Sequence, residues 1–252
     1  MYANSSYHNL GPLHFTKNSK DLRHMSWFTQ ALSSTIGRKV VMSLTGLFLI
    51  TFLVVHVSGN TLLFKSDNGE AFNMYTQFMT TNPLIKMASY ILYTGIILHV
   101  VYALILSVYN KSARPVGYAV AHPDQNSSWK SRNMGVLGTI VLIFLIIHLR
   151  SFWYEMKFGE VPTVNYAGVE VRDLYSIMEA AFSQWWYVLL YVLAMVGLSY
   201  HLAHGFWSAF QTLGLQHKKY SPLIKGIGLV FAIVVPLLFA AMPIYMYITS
   251  IA

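Results

Sequence analysis

The segment Gly46-Leu-Phe-Leu-Ile-Thr-Phe-Leu-Val-Val-His56-Val-Ser-Gly-Asn60 places a histidine deep inside an apolar run. A bilayer core of roughly 30 Å is crossed by about 20 apolar residues in a helix. The run from about residue 38 to 64 is long enough to do so. Because an ionisable side chain in hydrocarbon costs free energy, it marks a candidate functional site. The segment therefore predicts a membrane helix with a functional histidine.

Four further apolar runs have a similar length, at about residues 86 to 110, 133 to 157, 184 to 213 and 223 to 250. Of the 252 residues, 55% are hydrophobic and 10% are charged, which is typical of a membrane protein. We therefore expect an all-α integral membrane protein with five transmembrane helices, in which residues 36 to 252 form one domain. The third run is the weakest, because Arg150 interrupts it.

The basic residues predict the orientation of the chain. With five spans, residues 1 to 39, 111 to 132 and 213 to 225 share one side, and they carry most of the Lys and Arg. The positive-inside rule places this side, and the N-terminus, in the cytoplasm. Membrane topology thus accounts for the net charge of +8 without a nucleic-acid partner.

Residues 1 to 35 form a polar and aromatic N-terminal segment. Gly11 and Pro12 break it, and it lacks the apolar core of a signal peptide. We expect this segment to be cytoplasmic. Within it, Met25 to Leu32 is predicted to form either a short interfacial helix or part of a disordered N-terminal stretch.

Histidines also lie well inside the second, third and fourth runs. At a rise of about 1.5 Å per residue, His56 and His148 lie about 24 to 27 Å from the cytoplasmic ends of their helices, and His99 and His201 about 18 Å. Depth therefore sorts them into an outer pair on helices one and three and an inner pair on helices two and four. One imidazole from each of four helices is what two bis-histidine haems would need.

The residues around the histidines agree with a flat macrocycle. A small residue follows each histidine within one turn, and these are Gly59, Ala103, Ser151 and Gly205. The fourth run offers two ligands: Gly205 favours His201, and His204 remains the alternative. In a simpler interpretation the histidines only hydrogen-bond their neighbours and the small residues only pack helices. The other histidines lie in polar segments and are expected to be solvated: His8, His14, His24, His122 and His217.

Motifs that the sequence lacks exclude several kinds of cofactor site. The chain has no cysteine, which excludes thiolate-held iron–sulfur clusters and covalent c-type haem. It also lacks Gly-rich nucleotide-binding signatures. Any redox chemistry must therefore use a non-covalent cofactor or a partner subunit. The fifth run contains Pro236 and Pro243 but no histidine, and we expect it to pack against the bundle.

These features resemble the cytochrome b membrane anchor of the succinate dehydrogenase and fumarate reductase family, of the single-chain, five-helix, di-haem type. The resemblance covers helices one to four. It is carried by the opening segment and by Leu98-His99-Val-Val-Tyr-Ala103, Ile147-His148-Leu149-Arg150 and His201-Leu-Ala-His-Gly205-Phe-Trp207. The most specific element is a histidine followed four residues later by glycine and two bulky residues.

The resemblance implies two haem b groups, the outer iron held by His56 and His148 and the inner iron by His99 and His201. It also implies a flavoprotein and an iron–sulfur subunit on the cytoplasmic face of a bacterial cytoplasmic membrane. Electrons would pass between those subunits and a quinone, of the menaquinone type. Family members exchange quinone protons through an acid near the outer haem. Glu70 is the first candidate for it and Asp67 the second, although an ordinary solvated loop acid is an equal alternative.

One residue departs from the family pattern. Ser199 stands where some members carry a glutamate for transmembrane proton transfer, so we do not expect that pathway. The alternatives are a cytochrome b anchor of a hydrogenase or formate dehydrogenase, a proton-coupled transporter and a haem-free anchor. One histidine on each of the first four helices disfavours the first. The lack of Asp and Glu in the centres of the spans disfavours a transporter.

Overall fold

The computed structural model of the protein describes residues 26–112 and 127–251. Five of its helices are long and apolar enough to cross a membrane, and we call them the first to fifth spans: Thr35–Phe64, Pro83–Ser112, Met134–Phe158, Trp185–Thr212 and Ser221–Ile251. Their bounds lie within about three residues of the predicted apolar runs. The prediction of five long apolar helices is confirmed, and the architecture is that of a multi-pass membrane protein.

Within these spans and between them, the elements follow in a simple order. They are α1 (Trp27–Ser33), α2 (Thr35–Asn60) with a 3-10 turn (Thr61–Phe64), α3 (Glu70–Thr81), α4 (Pro83–Ser112), α5 (Trp129–Arg132), α6 (Met134–His148), a π-helical segment (Leu149–Tyr154), α7 (Glu155–Phe158), β1 (Thr163–Tyr166), β2 (Val169–Arg172), α8 (Leu174–Phe182), α9 (Trp185–Thr212) and α10 (Ser221–Ile251).

The fourth span lies at the centre of the bundle. It packs against the first, third and fifth spans, and it is the most buried of the five. The first span also packs against the second, whereas the second and third spans make few contacts with each other. A cavity lies between them. The outward faces of the spans are apolar, as expected for helices surrounded by lipid.

The two ends of the bundle differ. We call residues 65–82 and 159–184 the hairpin end, and residues 26–34, 127–133 and 213–220 the basic end. At the basic end, α1 precedes the first span, and the Ser34 hydroxyl caps that span by accepting a hydrogen bond from the Gly37 N–H (2.9 Å). The helix α1 coincides with the predicted interfacial helix, and its Trp27 is 80% exposed. The position of α1 at a membrane surface stays a prediction, and residues 1–25 lie outside the described part.

The connections at the hairpin end form regular structure. They contain α3, α8 and a two-stranded antiparallel sheet in which Val164 pairs with Val171. Positive φ angles at Ala167 (49°) and Gly168 (90°) form the tight turn that matches the twist of two such strands. The all-α prediction therefore holds for the membrane domain but not for this small sheet.

A buried asparagine holds the hairpin end together. Asn73 in α3 is 0% exposed, and its amide nitrogen donates to Asp173 Oδ1 (2.8 Å) and to the Tyr166 hydroxyl (3.1 Å). Its amide oxygen accepts from the Tyr175 N–H (2.9 Å). Asp173 in turn caps α8 by accepting from the Ser176 N–H. One side chain thus joins α3 to the hairpin and to α8.

The third span continues past Arg150, the charged residue that interrupts its apolar run in the sequence. Arg150 lies at the surface, pairs with Glu155 and stands 4.5 Å from the centroid of the Tyr154 ring, so its charge is not buried. The backbone from Leu149 to Tyr154 is π-helical, which inserts extra backbone into the turn directly after His148. Such segments are frequent at functional sites, since they redirect the side chains that follow.

Candidate functional site: two layers of paired histidines

The first and third spans bring two imidazoles together near the hairpin end. The rings of His56 and His148 have their centroids 5.8 Å apart and their planes inclined by 84°. Phe52 stacks on His56, and Phe239 of the fifth span lies 5.4 Å from the same ring. The fifth span therefore contributes to the surroundings of this pair, although it has no histidine.

The second and fourth spans bring together a second pair nearer the basic end. The ring centroids of His99 and His201 are 6.4 Å apart, with an interplanar angle of 66°. The ring that faces His99 is that of His201, whereas His204 is half-buried further along the same helix. The structure thus forms the two pairs that depth predicts. The role of the histidines as haem ligands stays a prediction.

The spacing within each pair fits one metal ion between two imidazoles. A metal–imidazole bond is about 2.0 to 2.1 Å long and a ring centroid lies about 1.1 Å from its nitrogen, so a linear arrangement separates the centroids by about 6.3 Å. The observed distances of 5.8 and 6.4 Å are close to this value. Among the described residues, no group of three or more His, Cys, Asp or Glu could hold a bare metal ion. Two ligands suffice if a porphyrin supplies the others from its own plane.

The distance between the two layers can be read along three helices. On the first span, Thr45 contacts His99 and stands eleven residues before His56. On the third span, Gly138 lies beside His201 and stands ten residues before His148. On the fourth span, Tyr191 contacts His148 ten residues before His201. Each interval corresponds to about 15 to 17 Å of helix.

Polar neighbours engage the Nδ1 atoms of three of the histidines. Nδ1 of His99 lies 3.1 Å from the Thr45 hydroxyl, Nδ1 of His148 lies 3.2 Å from the Tyr191 hydroxyl, and Nδ1 of His56 lies 3.3 Å from the Asn60 amide nitrogen. The Thr45 and Tyr191 hydroxyls can accept a hydrogen bond from Nδ1, which orients the rings of His99 and His148 and leaves Nε2 for a ligand. The Asn60 amide nitrogen can only donate to Nδ1 of His56, so this contact orients the ring but places its proton on Nε2.

His201 differs from the other three. Its buried Nδ1 has no hydrogen-bond partner among the described residues. A buried polar atom without a partner costs about 1 to 3 kcal/mol. Either ring nitrogen of a histidine can bind a metal, so this atom remains open to a ligand.

A buried chain of hydroxyls extends from the outer pair. The Tyr191 hydroxyl, next to His148, lies 3.4 Å from the Tyr187 hydroxyl, which donates to Ser151 Oγ (2.6 Å). Ser151 belongs to the π-helical segment. The sequence analysis missed both tyrosines. Their spacing of four residues on one helix, level with His148, was the available signal.

Glycines make room beside the inner pair. An added Cβ on Gly46 of the first span would lie 3.4 Å from His99 Cε1, and one on Gly138 of the third span would lie 3.8 Å from His201 Cε1. Near the outer pair, the space beside Gly59 is filled by the ring of Tyr75, which would come within 2.3 Å of an added Cβ. The gap that the sequence assigns to a macrocycle at Gly59 is thus used by a protein side chain.

The outer pair opens into a cavity of about 430 Å³ toward the hairpin end. Ligand sites commonly enclose about 300 to 1,000 Å³. The walls are mostly apolar and aromatic, and the Trp153 indole N–H donates to the Tyr93 hydroxyl (2.8 Å) between the third and second spans. Tyr75 in α3 also lines the cavity, and burial raises the pKa of its phenol above the ordinary value.

The two acids predicted at the quinone site lie at the start of α3. Glu70 is exposed in the first turn and is not among the residues that line the cavity. The Asp67 carboxylate accepts hydrogen bonds from the backbone N–H groups of Gly69 and Ala71, so it stabilises the start of the helix. A proton-exchange role for either residue stays a prediction.

Within the described ranges, His217 does not join either pair. His217 is exposed and stacks on Tyr220 with ring centroids 4.6 Å apart. His8, His14, His24 and His122 lie outside the described residues.

Comparison with known proteins gave no relative of this chain: no family model, no curated protein and no solved structure matches it.

Proposed function

We propose that the chain is the di-haem cytochrome b membrane anchor of a succinate:quinone oxidoreductase. The observation that carries the proposal is the pairing of one imidazole from each of four spans, as His56 with His148 and His99 with His201, at distances that would suit one iron held between two imidazoles. Imidazole ligates iron well, and an ionisable side chain in hydrocarbon is costly and therefore marks a candidate functional site. The identity of the partners rests on the family resemblance.

The haems, when bound, supply one-electron carriers in two layers of the membrane. This chain's own residues hold and orient them. Thr45, Asn60 and Tyr191 contact the Nδ1 atoms of the ligands, and the glycines beside His99 and His201 leave space. Local polarity around each pair then sets its potential.

The two ends of the bundle would serve different partners. The basic end carries exposed Lys and Arg side chains, and we assign to it the flavoprotein and iron–sulfur subunits on the cytoplasmic face of a bacterial membrane. The hairpin end, next to the outer cavity, would take the quinone, of the menaquinone type. Glu70 remains the candidate for proton exchange there, with Asp67 second.

Haem content in single-histidine variants tests the proposal. The purified chain should bind two b-type haems per molecule, measured by the pyridine haemochrome spectrum. His56→Ala and His148→Ala should lose the same spectral component, and His99→Ala and His201→Ala should lose the other, because each pair shares one iron. His204→Ala and His217→Ala are matched controls that should keep both. Absence of b-type absorbance, or two haems retained in both His56→Ala and His201→Ala, would refute it.

The identity of the dehydrogenase needs a separate measurement. Isolated from its native membrane, the chain should co-purify with a flavin-containing and an iron–sulfur subunit, and succinate should reduce its haems. If hydrogen or formate reduced the haems instead, the haem sites would stand, but the partner enzyme would be a hydrogenase or a formate dehydrogenase.

A further inference from the structure

Two lysines stand where the outer cavity opens at the hairpin end. Lys86 lies in the first turn of the second span, and Lys157 lies in the last turn of the third. Both line the cavity that contains His56 and His148, and both also line an open groove above it. Thr80 and Met156 border the same two spaces, so the lysines mark the passage between them.

Neither lysine is accounted for by the fold. Among the described residues, the one ion pair joins Arg150 and Glu155, so the two ammonium groups have no carboxylate partner there. Lys86 also lies at the start of a helix, where a positive charge opposes the helix dipole. Two cations at the mouth of an apolar cavity therefore favour an anionic group on whatever occupies it.

The direction of the third span brings one lysine toward the histidines. Lys157 stands nine residues after His148, about 14 Å along a helix. Side chains on a helix lean toward its N-terminus, so the four-carbon stem of Lys157 leans from the hairpin end toward His148. Lys86 faces the same space from the second span.

The cavity thus has three zones: an imidazole pair at its inner end, aromatic and apolar walls, and two cations at its mouth. A flat apolar ligand with carboxylates along one edge matches all three. We propose that Lys86 and Lys157 bind the carboxylates of the ligand seated in this cavity, which are the two propionates of the outer haem. This inference rests on the proposed function.

Haem whose propionates are esterified provides the test. Apoprotein in nonionic detergent, without phospholipid that could compete for the lysines, is titrated with haem and with haem dimethyl ester, and binding is followed by Soret absorbance. The intact chain should prefer haem by about tenfold, the scale of two partly exposed ion pairs. The double variant Lys86→Met and Lys157→Met should lose that preference while still binding the ester.

Two further variants separate charge from packing. The double variant Lys86→Arg and Lys157→Arg should keep the preference, because the charge is retained. Lys65→Met, which removes an exposed cation at the same end but outside the cavity wall, should also keep it. Equal binding of haem and ester by the intact chain, or a preference that survives in the methionine variant, would overturn the inference alone. Failure of both haem forms to bind would overturn the proposed function as well.

Discussion

Replacing Asn73 by alanine should loosen the hairpin end of the molecule. The side chain is 0% exposed and makes three hydrogen bonds, to Asp173, to the Tyr166 hydroxyl and from the Tyr175 N–H. They join α3 to the hairpin and to α8, elements about a hundred residues apart in sequence. Alanine removes all three and leaves the Tyr175 N–H without its acceptor.

The expected cost follows from these contacts. A neutral hydrogen bond contributes about 1 kcal/mol, a bond to a charged group about 1.5 to 3 kcal/mol, and an unsatisfied buried donor costs about 1 to 3 kcal/mol. Because such terms overlap, we expect Asn73→Ala to lower the free energy of opening of this end by about 3 kcal/mol. This equals about a hundredfold increase in the open population.

Tryptic cleavage after Arg172 reports that population. Arg172 lies in β2 and its guanidinium donates to the Met156 carbonyl, so cleavage requires the hairpin to open. Where opening and closing are fast relative to cleavage, the rate follows the open population. Fragments are identified by mass, and Asn73→Ala should be cut about a hundredfold faster.

Two variants control this measurement. Asn73→Asp keeps the size but places a carboxylate against Asp173, so it should also be cut faster. Asn133→Ala removes a half-buried amide that donates to the Trp129 carbonyl at the basic end, and it should leave cleavage after Arg172 unchanged. A rate for Asn73→Ala within about threefold of the parent would refute the reasoning, since that corresponds to less than about 1 kcal/mol.

Two further substitutions probe the site and its packing. Tyr191→Phe removes the hydroxyl beside His148 and should raise the midpoint potential of the outer haem alone in a redox titration, because an imidazole that loses its acceptor is a weaker donor to iron. Tyr200→Phe, an exposed tyrosine on the same span, should shift neither potential, and a shift of both haems by Tyr191→Phe would contradict the assignment. Gly59→Ala should lower the free energy of unfolding in detergent by about 1 to 3 kcal/mol, and with it the unfolding temperature. The reason is that the added Cβ would lie 2.3 Å from the Tyr75 ring. Gly135→Ala, with open space around it, should not lower it, and equal unfolding temperatures for the two would show that Tyr75 moves freely.

The sequence by itself determined the five apolar helices and the four histidine positions. Both are local properties, because span length follows from the length of an apolar run, and depth follows from counting residues at a constant helical rise. The same counting sorted the histidines into the two pairs that the structure brings together. The sequence favoured His201 over His204 because of Gly205, and His201 is the ring that faces His99, although Gly205 itself lies beside Met134.

Only the tertiary structure decided what surrounds those histidines. The contact between Tyr191 and His148 spans 43 residues, and the bond between Asn73 and Asp173 spans 100, so no local pattern specifies either. Helix rotation selects the hydroxyls that meet Nδ1 of His99 and of His148, and the π-helical turn after His148 places Ser151 against Tyr187. Strand β2 of the hairpin packs against α3, which lies about ninety residues earlier in the chain. The depth of a residue in the membrane follows from its position along one helix. The direction in which its side chain points, and the residue on another helix that it contacts, are set by how separate helices pack.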